Sequence, residues 1–279
     1  MTMEWFNDCF FDRKYIHAKE GIIEYINIFP TQLSFAEEQL PVLVACGWGE
    51  SLESIKETLY ELHKEGNRVI ALNPAHIDHI HGVQSIFPAD AYVKAIAYLE
   101  ILKELSIKKV NIVAHSEGAI NAMITATLKP NTFHKLILVA PAGMIENDDF
   151  VRLTTRFVRN FIHITKNGFW SNATHKSLER AYVKSVFWYF LMNPLQSLRE
   201  ALMLPQFDLE VLIERIDSSD LNIYLLLENK DEVFPIQQLK KPTEHVSIKK
   251  IEVLEGEHTT IHTEPQKIVP LISKILQEN

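Results

Sequence analysis

Lys109-Val110-Asn111-Ile112-Val113-Ala114-His115-Ser116-Glu117-Gly118-Ala119 decides how this chain is read. A β-prone run leads without a spacer into small-His-Ser-x-Gly, and Ala119, Ile120, Met123, Ile124 and Thr127 then continue at helical spacing. The backbone must therefore turn from strand to helix at Ser116. So sharp a turn needs small flanking residues, here Ala114 and Gly118, and it strains the serine so that its hydroxyl stands clear of the backbone. This is the form of a nucleophile elbow. The N–H groups that open the following helix face the same point and can meet developing negative charge. A serine that merely caps its helix is the plainer alternative.

Outward from the elbow, the pattern alternates strand with helix. Upstream lie a hairpin over about 13–29, the apolar run Pro41–Cys46, a helical stripe of Leu52, Ile55, Leu59 and Leu62 ending at Gly66, a strand from Arg68 to Leu72, and a helix carrying Tyr92 to Leu105. Downstream comes the short strand Lys135–Val139. Continuous apolar runs of this kind belong to strands buried on both faces, which predicts a mostly parallel central sheet flanked by helices, an α/β fold. The rhythm breaks after Ala140-Pro141-Ala142-Gly143. Residues 146–206 show only helical stripes, with Asn193-Pro194 opening the third helix, and read as an inserted helical cap between core parts 1–145 and 207–279. Strands resume at Asn222–Leu227 and Ser247–Leu254, and Thr263-Glu264-Pro265-Gln266 reads as a capping box for the last helix.

Composition narrows the class. With 47% hydrophobic and 23% charged residues the 279-residue chain is an ordinary globule, and a net charge of -8 argues against a nucleic-acid binder. No stretch has the ~18 uninterrupted apolar residues of a membrane span. Two cysteines, Cys9 and Cys46, read as free thiols, and the acidic N-terminal residues lack the pattern of a secretion signal, so a cytoplasmic location is expected.

A serine hydroxyl needs a base, and the base works best when an acid holds its tautomer. In a parallel sheet such groups gather beyond the strands' carboxyl ends. Glu228-Asn229-Lys230-Asp231-Glu232-Val233-Phe234-Pro235 follows one strand, and Glu255-Gly256-Glu257-His258 follows the next. These candidates complete the order Ser116, Asp231, His258. Glu228, Glu232 and the pair Asp148-Asp149 remain alternative acids.

With those motifs in view, the chain resembles the α/β-hydrolase fold family over nearly its whole length outside the helical block. The family's elbow matches Ser116, its acid loop matches Asp231, and its histidine matches His258. Its first oxyanion loop matches Cys46-Gly47-Trp48-Gly49, with Cys46 in place of the usual histidine, and Ala114 replaces the commoner glycine of the elbow. The resemblance implies an oxyanion hole made by the backbone N–H groups of Trp48 and Glu117. It implies a serine hydrolase that cleaves a carboxylic ester of a small or medium apolar substrate, with no cofactor and no metal. Thioesterase, amidase and carbon–carbon bond hydrolase chemistry on the same trio stay open, as does a non-catalytic ligand sensor; the oligomeric state is undecided.

Three other features compete for attention. His76-Ile77-Asp78-His79-Ile80-His81 faintly resembles the ligand string of metallo-β-lactamase-like hydrolases, but in the wrong order, and reads as a rim loop. Arg152, Arg156 and Arg159 share one face of a helix, which is a solvated face or an anion attractor. Ten aromatic residues lie between Phe150 and Phe190, which suggests an apolar pocket beneath the cap.

Overall fold

The structure is a computed structural model that describes residues 12–18, 21–30, 39–73, 89–170, 175–216, 221–240 and 245–278. Cys9 and the His76–His81 string lie outside them. The strands are β1 (Lys14–Ala18), β2 (Gly21–Ile28), β3 (Val42–Ala45), β4 (Val69–Leu72), β5 (Val110–His115), β6 (Phe133–Val139), β7 (Asn222–Glu228) and β8 (Ile248–Leu254). They form one sheet in the order β1-β2-β4-β3-β5-β6-β7-β8. β1 and β2 pair antiparallel, β2 meets β4 antiparallel, and every later pairing is parallel.

Strand alternation divides the core into two layers. Leu43, Ala45, Val110, Ile112 and Ala114 face one side, while Val42, Val44, Cys46 and Val113 face the other. The first side is covered by α2 (Ala89–Glu104), α3 (Glu117–Leu128) and α7 (Leu209–Ile216); the second by α1 (Lys56–Lys64) and α9 (Pro265–Gln277). Buried Lys135, at the start of β6, donates to the carbonyls of Ile275, Leu276 and Glu278 and so satisfies the end of α9, where a cation also suits the helix dipole.

Between β6 and α7 stand α4 (Phe150–Trp170), α5 (His175–Met192) and α6 (Pro194–Met203), the last starting at the expected proline. Two details differ from expectation. α7 has the apolar spacing Leu209, Leu212, Ile213, Ile216, yet the sequence reading passed it over. And there is no capping box at Thr263: that residue ends the short helix α8 (Thr260–Thr263) with its hydroxyl donating to the Thr259 carbonyl, while Glu264 precedes Pro265 at the first position of α9. Proline suits that first position, because its missing N–H is one that the helix would leave unpaired in any case.

Candidate active site

The elbow is built as its sequence demands. Ser116 has φ 53° and ψ -119°, a left-handed strain for a residue with a side chain, and its hydroxyl makes no capping bond to α3. A Cβ on Gly118 would stand 2.2 Å from the Ala45 carbonyl oxygen, so only glycine lets the helix pass over β3. Register places Ala114 beside Ala45, and His115 beside Val139, which sets the ends of β3, β5 and β6 around the serine.

The three candidate side chains meet at that edge. Ser116 Oγ lies 3.1 Å from His258 Nε2, and His258 Nδ1 lies 2.7 Å from Asp231 Oδ2. The other Asp231 oxygen accepts the N–H groups of Val233 and Phe234, each at 2.7 Å. Burial disfavours the charged carboxylate, but the attraction of His258 and these two amides outweighs it and holds Asp231 below the usual range.

The alternative acids go elsewhere. Asp148 pairs with Arg156 at 2.6 Å, Asp149 accepts the Arg152 amide, and Glu232 is exposed. Glu228 is buried with no hydrogen-bond partner for either oxygen among the described residues, and burial, with the nearby charges of Asp231 and Glu257, drives its carboxyl well above the usual range.

Gly47 sits directly against the serine: a Cβ there would be 3.1 Å from the Ser116 Cβ. Trp48 follows Gly47 in the loop after β3, and the Glu117 N–H opens α3 with no helical acceptor, as first-turn donors must. Neither N–H takes part in a backbone hydrogen bond among the described residues. The Trp48 ring turns outward, packing 4.5 Å from Phe157 and 5.0 Å from Phe190. Cys46 Sγ lies 3.8 Å from the Leu72 carbonyl oxygen, and burial pushes its thiol up, leaving it inert.

Beyond Trp48 lies a cavity of about 300 Å³, walled by Phe150, Phe157, Phe161, Phe187, Phe190 and Ala201 with no polar surface exposed inside it. The arginine face is not uniformly solvated. Arg152 and Arg159 are exposed, but Arg156 is half-buried and donates 2.7 Å to the Val233 carbonyl, tying α4 to the loop that carries Asp231.

Sequence reasoning missed a second polar cluster behind the trio. Glu50, His115 and His262 are each at most 3% exposed and converge within hydrogen-bond reach of one another, with Thr58 and Tyr182 alongside. The residues come from four distant stretches, so no local spacing announces them.

A strained serine at a strand-to-helix turn, reached by an acid beyond the end of β7 and a histidine beyond the end of β8, defines the class of proteins built on a parallel sheet with a nucleophile at its edge. A model of the alpha/beta hydrolase fold matches residues 40–265, and the chain belongs to that family. It is 28% identical over 125 residues to the human protein named serine hydrolase BPHL, a match spanning 44% of this chain and only 40% of that protein. Among solved structures it is similar to a bromoperoxidase from Bacillus anthracis (TM-score 0.70, 14% identity, 96% of this chain and 100% of that one). It is also similar to an esterase from Exiguobacterium antarcticum (TM-score 0.69, 17% identity, 95% and 99%). At such identities the likeness establishes the fold.

Proposed function

We propose that the chain is a serine hydrolase cleaving a carboxylic ester with a small or medium apolar acyl or alcohol part. The observation that carries this reading is the continuous line of hydrogen bonds from Ser116 Oγ through both nitrogens of His258 to Asp231. As Oγ attacks the ester carbonyl, His258 Nε2 takes its proton, and Asp231 steadies the imidazolium through Nδ1. The carbonyl pair moves onto oxygen, where the N–H groups of Trp48 and Glu117 receive it. His258 returns the proton to the departing alkoxide and leaves Ser116 acylated. Water then gives a proton to His258 and attacks the acyl carbon, and Ser116 recovers its proton as the acid departs. No step calls on a cofactor.

The apolar cavity supports the substrate class, and the helices over it act as a cap spanning 146–206. No helix among the described residues is long and apolar enough to cross a membrane, and the buried free thiol of Cys46 agrees with a cytoplasmic setting. A panel of p-nitrophenyl esters from acetate to dodecanoate, with a thioester, an amide and a vinylogous diketone, tests the assignment together with fluorophosphonate labelling. We expect labelling at Ser116 and fastest turnover on an ester. Ser116→Ala should abolish labelling and cut kcat on the order of 10⁶-fold. A folded protein that labels yet turns over no panel member would make it a sensor instead.

A further inference from the structure

The cluster behind the trio brings one donor atom each from Glu50, His115 and His262 within 4.8 Å of one another. His115 Nε2 lies 2.8 Å from the His258 carbonyl oxygen and His115 Nδ1 2.7 Å from Glu50 Oε1, while His262 Nδ1 lies 2.8 Å from Thr58 Oγ1, which is 2.7 Å from the Ile261 carbonyl oxygen. His262 Nε2 stands 3.2 Å from His115 Nδ1 and 3.0 Å from Glu50 Oε1, and the Tyr182 hydroxyl donates to that oxygen over 3.3 Å. The three central atoms all carry lone pairs, so a proton or a metal ion must stand among them.

The outer contacts show which atoms face inward. A carbonyl can only accept, so His115 donates from Nε2 to His258. Thr58 spends its single proton on the Ile261 carbonyl and accepts from His262 Nδ1. With both imidazoles neutral, the form in which a metal takes them, His115 Nδ1 and His262 Nε2 present lone pairs 3.2 Å apart and beside the Glu50 oxygen. Three donor atoms so placed suit a cation at their centre. Histidines that ligate a metal hold their remaining N–H on a carbonyl or hydroxyl in this manner.

We propose that Glu50, His115 and His262 bind one divalent transition-metal ion, of which Zn²⁺ fits best. Two imidazoles and a carboxylate are its ordinary ligands, at about 2.0–2.2 Å, and a tetrahedral ion of that size spaces its ligands by roughly 3.3 Å. The observed separations of 2.7, 3.0 and 3.2 Å reach that by opening a few tenths of an ångström. The Tyr182 hydroxyl, 3.3 Å from Glu50 Oε1 with its ring stacked on His262, supplies the fourth ligand from α5. As phenolate it makes the whole site neutral. Four protein ligands close the coordination sphere, so the ion is structural. It ties the loop after β3, the end of β5, helix α8 and the cap helix α5 around the trio, and His115 in turn holds the His258 backbone.

The full-length chain, expressed with zinc in the medium and purified without chelator, should carry about one zinc per chain by elemental analysis. Chelator-stripped protein titrated with Co²⁺ should develop the visible absorption of a four-coordinate site. His262→Gln and Glu50→Gln should lose that absorption and at least ten-fold in retained zinc. Should either variant fail to fold, the cobalt titration of the unaltered chain decides alone. Folded protein that takes up neither zinc nor cobalt overturns the site in favour of a fully protonated cluster. Zinc retained undiminished by folded His262→Gln overturns the ligand assignment. These readouts do not depend on hydrolysis, so failure of the ester assay would leave them standing.

Discussion

Glu117 shows how one residue serves two ends through different atoms. Its backbone N–H is a proposed oxyanion donor, while its fully buried carboxylate lies 2.7 Å from Lys94 Nζ, which is also 2.7 Å from Glu200 Oε1. Burial raises the Glu117 carboxyl to about 7 against the pull of Lys94, with Glu200 adding to the rise. An unfolded glutamate loses its proton near pH 4.5, so between there and pH 7 the folded chain holds a proton that the unfolded chain does not. Stability contributed by this group is therefore lost as pH rises across that window. Glu117→Gln removes the titration and keeps the N–H. In urea unfolding at pH 5 and pH 7.5, the drop between the two should shrink by up to roughly 3 kcal/mol relative to the unaltered chain. Equal drops in both proteins would place the proton elsewhere, Glu228 being the next buried carboxyl.

At the scale of elements, legibility tracked whether the information was local. Ser116, Asp231 and His258 were readable because each sits on a short loop directly after an apolar strand, and the sheet brings such loops together. Glu50, His115 and His262 were not, since nothing in their own neighbourhoods relates them. Arg156 misled for a related reason: helical spacing put it with Arg152 and Arg159, but its partners are Asp148, before α4, and the Val233 carbonyl of another loop. The aromatic excess of α4 and α5 was readable, and half of those rings line the cavity. Ala201 on α6 is a small residue in that wall, so Ala201→Phe tests what the cavity accommodates. An ester whose chain loses burial of three methylenes forfeits ~2.4 kcal/mol. The variant's kcat/KM on a decanoyl ester should fall about 50-fold, with acetyl ester turnover nearly unchanged. A uniform loss across chain lengths would mean the acyl group binds elsewhere.

For the whole molecule, the question is what joins the helices of 150–203 to the sheet beneath. Aromatic packing on Trp48 is one link. Arg156 is a second, and the third is the buried cluster in which Lys94 of α2 bridges Glu117 of α3 and Glu200 of α6, while Tyr189 of α5 donates to both Glu200 oxygens. A single cation holds two carboxylates from opposite sides of that boundary. Removing one partner of a buried pair costs about 3–5 kcal/mol because the remaining charge is stranded, whereas replacing every member by neutral groups is close to neutral. Lys94→Met should therefore destabilise by about that amount at pH 8 and by less at pH 5, where Glu117 holds a proton. Brief trypsin digestion of Lys94→Met should cut between residues 150 and 203 before the sheet is attacked, while the unaltered chain is lost as one unit. Lys94→Met with Glu117→Gln and Glu200→Gln should recover to within about 1 kcal/mol of the starting stability. If the triple variant stays as weak as the single one, the bridge contributes through packing of the lysine stem, and the electrostatic account of how cap and core are held together fails.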